Sequence, residues 1–111
     1  MNGRLPLIIA AGLLAAAAAR AEPSVENGRK VFTYWCATCH ATGDDFPGTL
    51  ALRAKYKGAI PETLEQRTDL NPAMVSYFVR NGISVMPFFR KTEISDADLA
   101  DIGAYLSAPK R

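Results

Sequence analysis

Apolar residues in this chain recur at intervals of three and four, and they nowhere alternate over a stretch long enough for a convincing strand. Val25, Gly28, Val31, Phe32 and Trp35 keep that spacing behind Ser24, a good N-cap residue. They predict an amphipathic helix that runs into Cys36. Residues 41–59, ATGDDFPGTLALRAKYKGA, are punctuated by Gly43, Pro47, Gly48 and Gly58 and read as turn-rich. Pro61 suits the first position of a short helix reaching about Arg67. Asn71-Pro72 then reads as N-cap and first residue of a helix that ends at Asn81-Gly82, Gly82 being a left-handed C-cap. Its buried face is Met74, Val75, Phe78 and Val79. Residues 83–92, ISVMPFFRKT, form an irregular apolar loop. Ser95 caps the last helix with Asp98 three positions on, and Leu99, Ile102 and Leu106 make its stripe with Tyr105 alongside. That helix stops before Pro109. The pattern is all-α.

The N-terminal stretch breaks this rhythm. Arg4 precedes an uncharged run from Leu5 to Ala19, and Ala19-Arg20-Ala21 sets small residues at both positions of a cleavage site. The run falls short of the roughly 20 apolar residues a membrane-spanning helix needs. Residues 1–21 are therefore expected to be a removed signal peptide, and residues 22–111 the single domain, exported to the periplasm. No Cys stands near the junction, so a lipid anchor of the lipoprotein kind is not available, and no membrane attachment is expected after cleavage. The trimming changes the charge. Arg4 and Arg20 leave, so 11 of the 13 Lys and Arg face 11 Asp and Glu. A formally neutral domain gives no support to nucleic-acid binding. It is also small enough that burial alone gives slender stability, so further help is expected.

That help is suggested by YWCATCHATG, residues 34–43, which holds both cysteines and the only histidine. Cys36, Cys39 and His40 form C-x-x-C-H, the attachment signature of c-type haem, an arrangement that chance would produce on the order of once in six thousand placements. Two thiols three residues apart can each add across one porphyrin vinyl group, and the next residue is then held under the iron as an imidazole ligand. Cys36 and Cys39 are thus the expected thioether positions and His40 the proximal ligand of one covalent haem c. Three rivals are weaker. A thioredoxin-like pair wants a strand before it, structural zinc lacks a fourth ligand unless a carboxylate serves, and a plain disulfide leaves His40 unexplained.

Met86 is the candidate for the sixth iron position. Met1 leaves with the leader and Met74 lies on a helical stripe, whereas Met86 stands in the irregular loop beside Pro87, which keeps that loop from becoming helix. A thioether is a soft, neutral ligand that favours ferrous iron. With both axial positions filled by protein, the haem carries one electron and does no bond chemistry. The chain is then not an enzyme by itself.

These residues resemble a class I cytochrome c over nearly all of residues 22–111, which implies four to five short helices around one haem. In that family the positions of Gly28, Phe32, Ile102 and Tyr105 form the crossing of first and last helices. The resemblance also implies that a Pro carbonyl accepts the proximal imidazole N–H, and Pro47 is the residue available. Residues 79–107, VRNGISVMPFFRKTEISDADLADIGAYLS, are similar to the cytochrome subunit of p-cresol methylhydroxylase and related eugenol or alkylphenol hydroxylases. The likeness implies a flavoprotein donor and a downstream acceptor such as a small copper protein or another cytochrome. The alternative is a free periplasmic shuttle for another dehydrogenase or a terminal oxidase. Ala37, Thr38, Val85, Pro87 and Phe88 are expected as an apolar rim for docking, one of Phe88 and Phe89 facing the partner. Arg90 and Lys91 are a basic pair beside it, and Arg53, Lys55, Tyr56 and Lys57 include candidate partners for the haem propionates.

Overall fold

The computed structural model describes Gly12 and residues 21–110, so the leader expected over residues 1–21 lies almost wholly outside the described residues. In chain order the helices are α1 (Val25–Trp35), α2 (Ala37–His40), α3 (Pro47–Tyr56), a single 3-10 turn (Leu64–Gln66), α4 (Pro72–Asn81) and α5 (Asp96–Ser107). Among the described residues there is no strand, only an isolated antiparallel bridge between Ile83 and Met86. The fold is all-α, as the spacing predicts.

Side-chain caps start three of these helices. The hydroxyl of Ser24 accepts from the Asn27 amide, the Asn71 side chain from the Met74 amide, and the Ser95 hydroxyl from the Asp98 amide. Each satisfies an N–H that the first helical turn otherwise leaves unpaired. The first and last helices pack most extensively, and Gly28 shows why. A Cβ placed on it would lie 2.0 Å from the Asp101 carbonyl oxygen and 2.8 Å from the Tyr105 Cβ, so only glycine lets the two backbones come this close. Around that contact Phe32 and Tyr105 pack with ring centroids 5.7 Å apart. Phe32, Val75, Val79, Ile94, Leu99, Ile102 and Leu106 form the buried core. Polar bonds latch the rim of the crossing: the Asn27 amide donates to Asp98 at 3.0 Å and Asp101 at 2.7 Å, and the Ser24 N–H donates to Asp101 at 2.7 Å.

Three expectations need correction. The stretch after His40 is not all turn, because α3 occupies its second half, with Pro47 at its first position and Lys57 as a left-handed cap at φ 50°. Its one buried residue is Thr49, so no apolar stripe announces it. The helix expected from Pro61 to Arg67 contracts to the 3-10 turn Leu64–Gln66. Here Arg67 turns inward, nearly buried, where it grips Asp69 through two bonds of 2.9 and 2.6 Å and lies over the Tyr56 ring. On α4, Met74 and Phe78 are half-buried, and only Val75 and Val79 belong to the core. Gly82 caps α4 with positive φ as expected, though ψ is extended.

The close approach at Gly28 generates a direct test. A Gly28→Ala variant must push the α1 and α5 backbones apart, and about 1–3 kcal/mol of stability is expected to be lost, as for other overpacked sites. Denaturant unfolding of the pigmented protein reads this, and a variant within about 0.5 kcal/mol of the parent would contradict the packing.

Candidate functional site

The C-x-x-C-H residues lie on a single helical turn that follows α1 directly. The amides of Cys39 and His40 both donate to the Cys36 carbonyl, at 3.1 and 2.9 Å, which winds residues 36–40 into one turn. Residues three and four apart are neighbours on one helix face, so both sulfurs and the imidazole share a side of the chain. Trp35, Cys36 and Ala37 pack against the core, which fixes the start of this turn relative to α1 and α5.

The far end is held by α3. The Thr49 hydroxyl donates to the Ala41 carbonyl at 2.7 Å, and Thr49 is 1% exposed, so α3 is pinned to the residue after His40 in a nearly dry setting. One position earlier, a Cβ built on Gly48 would stand 2.7 Å from the Cys39 carbonyl oxygen and 2.8–2.9 Å from His40 Cε1 and Nδ1. Glycine is therefore what allows α3 to close on the imidazole. This also locates Pro47, but without its expected bond. His40 Nδ1 is buried with no hydrogen-bond partner, so it does not donate to the Pro47 carbonyl. As the first residue of α3, Pro47 has its carbonyl turned along the helix axis toward Ala51.

The electrostatics of the turn discriminate between chemistries. Burial, with a smaller contribution from Cys39, pushes the Cys36 thiol up to about 12. A redox-active dithiol needs the opposite, a thiolate stabilised near neutrality, and no strand precedes the motif. Both cysteines are free, and among the described residues no group of three His, Cys, Asp or Glu is placed to hold a metal ion, which removes the fourth ligand that zinc would need. Burial also lowers the His40 pKa, keeping the ring in the neutral form that ligates iron. Two free thiols and a neutral imidazole on one helical face fit a covalently held haem.

Met86 comes from the loop between α4 and α5, half-buried in a tight turn. Ile83 and Met86 exchange backbone hydrogen bonds of 3.1 and 2.9 Å around Ser84 and Val85, with Ser84 at φ 52°. Three residues on, the Phe89 ring meets Trp35 edge-on at 5.9 Å, so the loop that carries Met86 is docked on the residue before Cys36. Phe88 is 60% exposed, which separates the roles of the two phenylalanines: Phe89 packs and Phe88 faces outward beside Val85, itself 85% exposed. Arg90 pairs with Glu93 and Lys91 with Asp96, so neither is a free basic steering charge. Among the propionate candidates, Arg53 is held by Asp44 and Glu62, and Lys55 lies over Tyr56.

Gly48 and Thr49 are site supports that the sequence pattern did not expose. Each acts through one close contact or one polar grip, and neither lies on an apolar repeat.

Comparison with known proteins agrees with this construction. Residues 23–106 match the family described as cytochrome c oxidase, cbb3-type, subunit III. Cytochrome c6 of Bumilleriopsis filiformis is 32% identical over 82 residues, covering 74% of this chain and 87% of that protein. Cytochrome c6 of Cyanidium caldarium is 30% identical over 83 residues, 75% of this chain and 69% of that protein, and cytochrome c6 of Petalonia fascia is 29% identical over 82 residues, 74% and 88%.

The Thr49 bond separates shape from hydrogen bonding. Thr49→Val keeps the volume but leaves the Ala41 carbonyl unpaired, and is expected to cost about 1–3 kcal/mol. Thr49→Ser, which keeps the donor, should lose less. Equal losses for the two variants in urea unfolding would show that the bond contributes nothing.

Proposed function

Because the chain belongs to the class I c-type cytochromes, the family its domain match and its cytochrome c6 relatives point to, we propose a particular post for it within that family. It is a monohaem electron-transfer protein, not an enzyme by itself. The proposed post is periplasmic: it takes electrons, one at a time, from the flavin of an alkylphenol-oxidising flavoprotein and delivers them to a small copper protein or another cytochrome. The haem, joined through Cys36 and Cys39, supplies a one-electron ferric–ferrous couple.

In this reading His40 is the proximal ligand and Met86 the sixth. The placement of His40 on the same helical turn as Cys36 and Cys39, with burial favouring its neutral form, supports the first assignment, and the docking of the Met86 loop beside Cys36 supports the second. A neutral thioether favours the ferrous state and raises the potential. With His40 and Met86 both holding the iron, no position would remain for oxygen or a substrate.

The single observation that carries the donor assignment is the stretch 79–107. On the proposed reading its residues resemble those of the cytochrome subunit of p-cresol methylhydroxylase, and it turns Val85 and Phe88 outward. Exposed apolar and aromatic residues beside a redox centre suit a docking contact with a polar rim. Hydride transfer from the phenol leaves two electrons on the flavin, so the carrier must be reduced twice per turnover, or two copies once each. Among the described residues no helix is long and apolar enough to cross a membrane. The second reading, a free shuttle for another dehydrogenase or a terminal oxidase, is favoured by the match to a cbb3-type oxidase subunit family.

Purification from native cells tests the donor. A complex with a flavoprotein that reduces this chain when given a para-alkylphenol is the expected result; recovery of the free monomer alone, with no reduction by such a flavoprotein, would favour the shuttle. For the sixth ligand, the ferric parent should show the weak far-red charge-transfer band of sulfur-to-iron ligation, and Met86→Ala should abolish it. Persistence of the band in that variant would overturn the assignment.

A further inference from the structure

The segment bearing Met86 has few backbone bonds of its own. Gly82 ties its start to α4, its N–H donating to the Phe78 carbonyl at 2.7 Å, and the Ile83–Met86 pair closes the turn on itself. Pro87 has no N–H to give, and Phe88 is exposed. The next anchor is Phe89, and α4 grips it at both backbone groups. Its N–H donates to the Val79 carbonyl at 2.7 Å, and its carbonyl accepts from Arg80 Nη1 at 3.1 Å. The same Nη1 donates to the Ile94 carbonyl at 2.9 Å, and Nη2 donates to Asp96 at 2.8 Å. Asp96 also holds Lys91 at 3.0 Å. The Arg80 side chain is 21% exposed, and its two carbonyl bonds are partly buried, whereas Asp96 is 66% exposed and its bond lies at the surface.

We infer that Arg80 is a positioning residue for Met86: one guanidinium spans α4, the loop and the start of α5, and so holds the Met86 turn against the haem-bearing side of the fold. This rests on the reading of Met86 as sixth ligand. The planar fork suits the task, because one group reaches two carbonyls and a carboxylate at once, which a single ammonium does less completely. Removing it leaves the Phe89 and Ile94 carbonyls without this partner, and the segment from Gly82 to Phe89 then keeps one distal backbone bond, Phe89 to Val79. The turn is free to swing, and Met86 competes less well for its position.

The test uses the pigmented ferric protein and reads the affinity of added imidazole, which must displace the sixth ligand. Arg80→Met is expected to bind imidazole roughly tenfold more tightly than the parent, the lower end of what loss of a support behind a metal ligand costs. Asp96→Asn, which keeps both carbonyl bonds, should change it by less than about threefold, and Arg80→Lys should fall between Arg80→Met and the parent. Gly28→Ala serves as the control for general destabilisation: its unfolding midpoint falls while its imidazole affinity stays with the parent. Should Arg80→Met fail to accumulate with haem, Arg80→Lys carries the test, with a gain of roughly threefold expected. An affinity unchanged within about twofold in the Arg80 variants, or an equal gain in Gly28→Ala, overturns the role of Arg80. A parent protein with no sulfur-to-iron band overturns the Met86 assignment itself and this inference with it.

Discussion

The turn from Cys36 to His40 is the constraint on which the rest of the molecule depends. Helical geometry puts residues three and four apart on one side, so one turn presents two sulfurs and an imidazole to the same group. That economy works only if the turn cannot unwind or rotate. Both of its ends are therefore built into larger structure: Trp35 and Cys36 into the core beneath the α1–α5 crossing, and Ala41 onto the Thr49 hydroxyl of α3. Gly48 completes the enclosure by letting a helix backbone close on the imidazole ring.

The second half of the chain is organised around a different need, which is to bring an irregular loop back to that turn. A domain of this size has a core of few large side chains, and much of the sequence between α3 and α5 lies outside regular helix. Two arginines manage these stretches by similar means. Arg67 turns inward to Asp69 and the Tyr56 ring, steadying the segment between α3 and α4. Arg80 spans α4, the Met86 loop and α5. The Phe89 and Ile94 carbonyls, which no helix or sheet satisfies, find their donor in Arg80, which helps a small all-α protein hold an aperiodic loop in one place.

What could be read from the amino-acid order divides along physical lines. Helices α1, α4 and α5 were legible because Ser24, Asn71 and Ser95 announce their starts and apolar residues repeat along them. The crossing at Gly28, Phe32, Ile102 and Tyr105 was legible through family resemblance, and the structure supplies its cause in the Asp101 carbonyl that a side chain at 28 would strike. Helix α3 was not, because Pro47, Gly48 and Gly58 read as turn signals and its one buried residue, Thr49, makes no stripe. Pro47 opens that helix beside the imidazole, and His40 Nδ1 is buried without a hydrogen-bond partner. Chemistry was easier to read than support. C-x-x-C-H is contiguous, whereas Gly48, Thr49 and Arg80 act on backbone atoms distant in sequence and carry no pattern.

The central claim is that Cys36 and Cys39 hold one haem covalently with His40 beside it. Mass spectrometry of the unfolded chain, after acid extraction of all non-covalent pigment, tests it most directly. A covalent haem leaves a colour that survives extraction and a polypeptide heavier than its amino acids by one haem, the added mass mapping to the peptide that contains residues 36–40. A colourless chain at its bare polypeptide mass would contradict it.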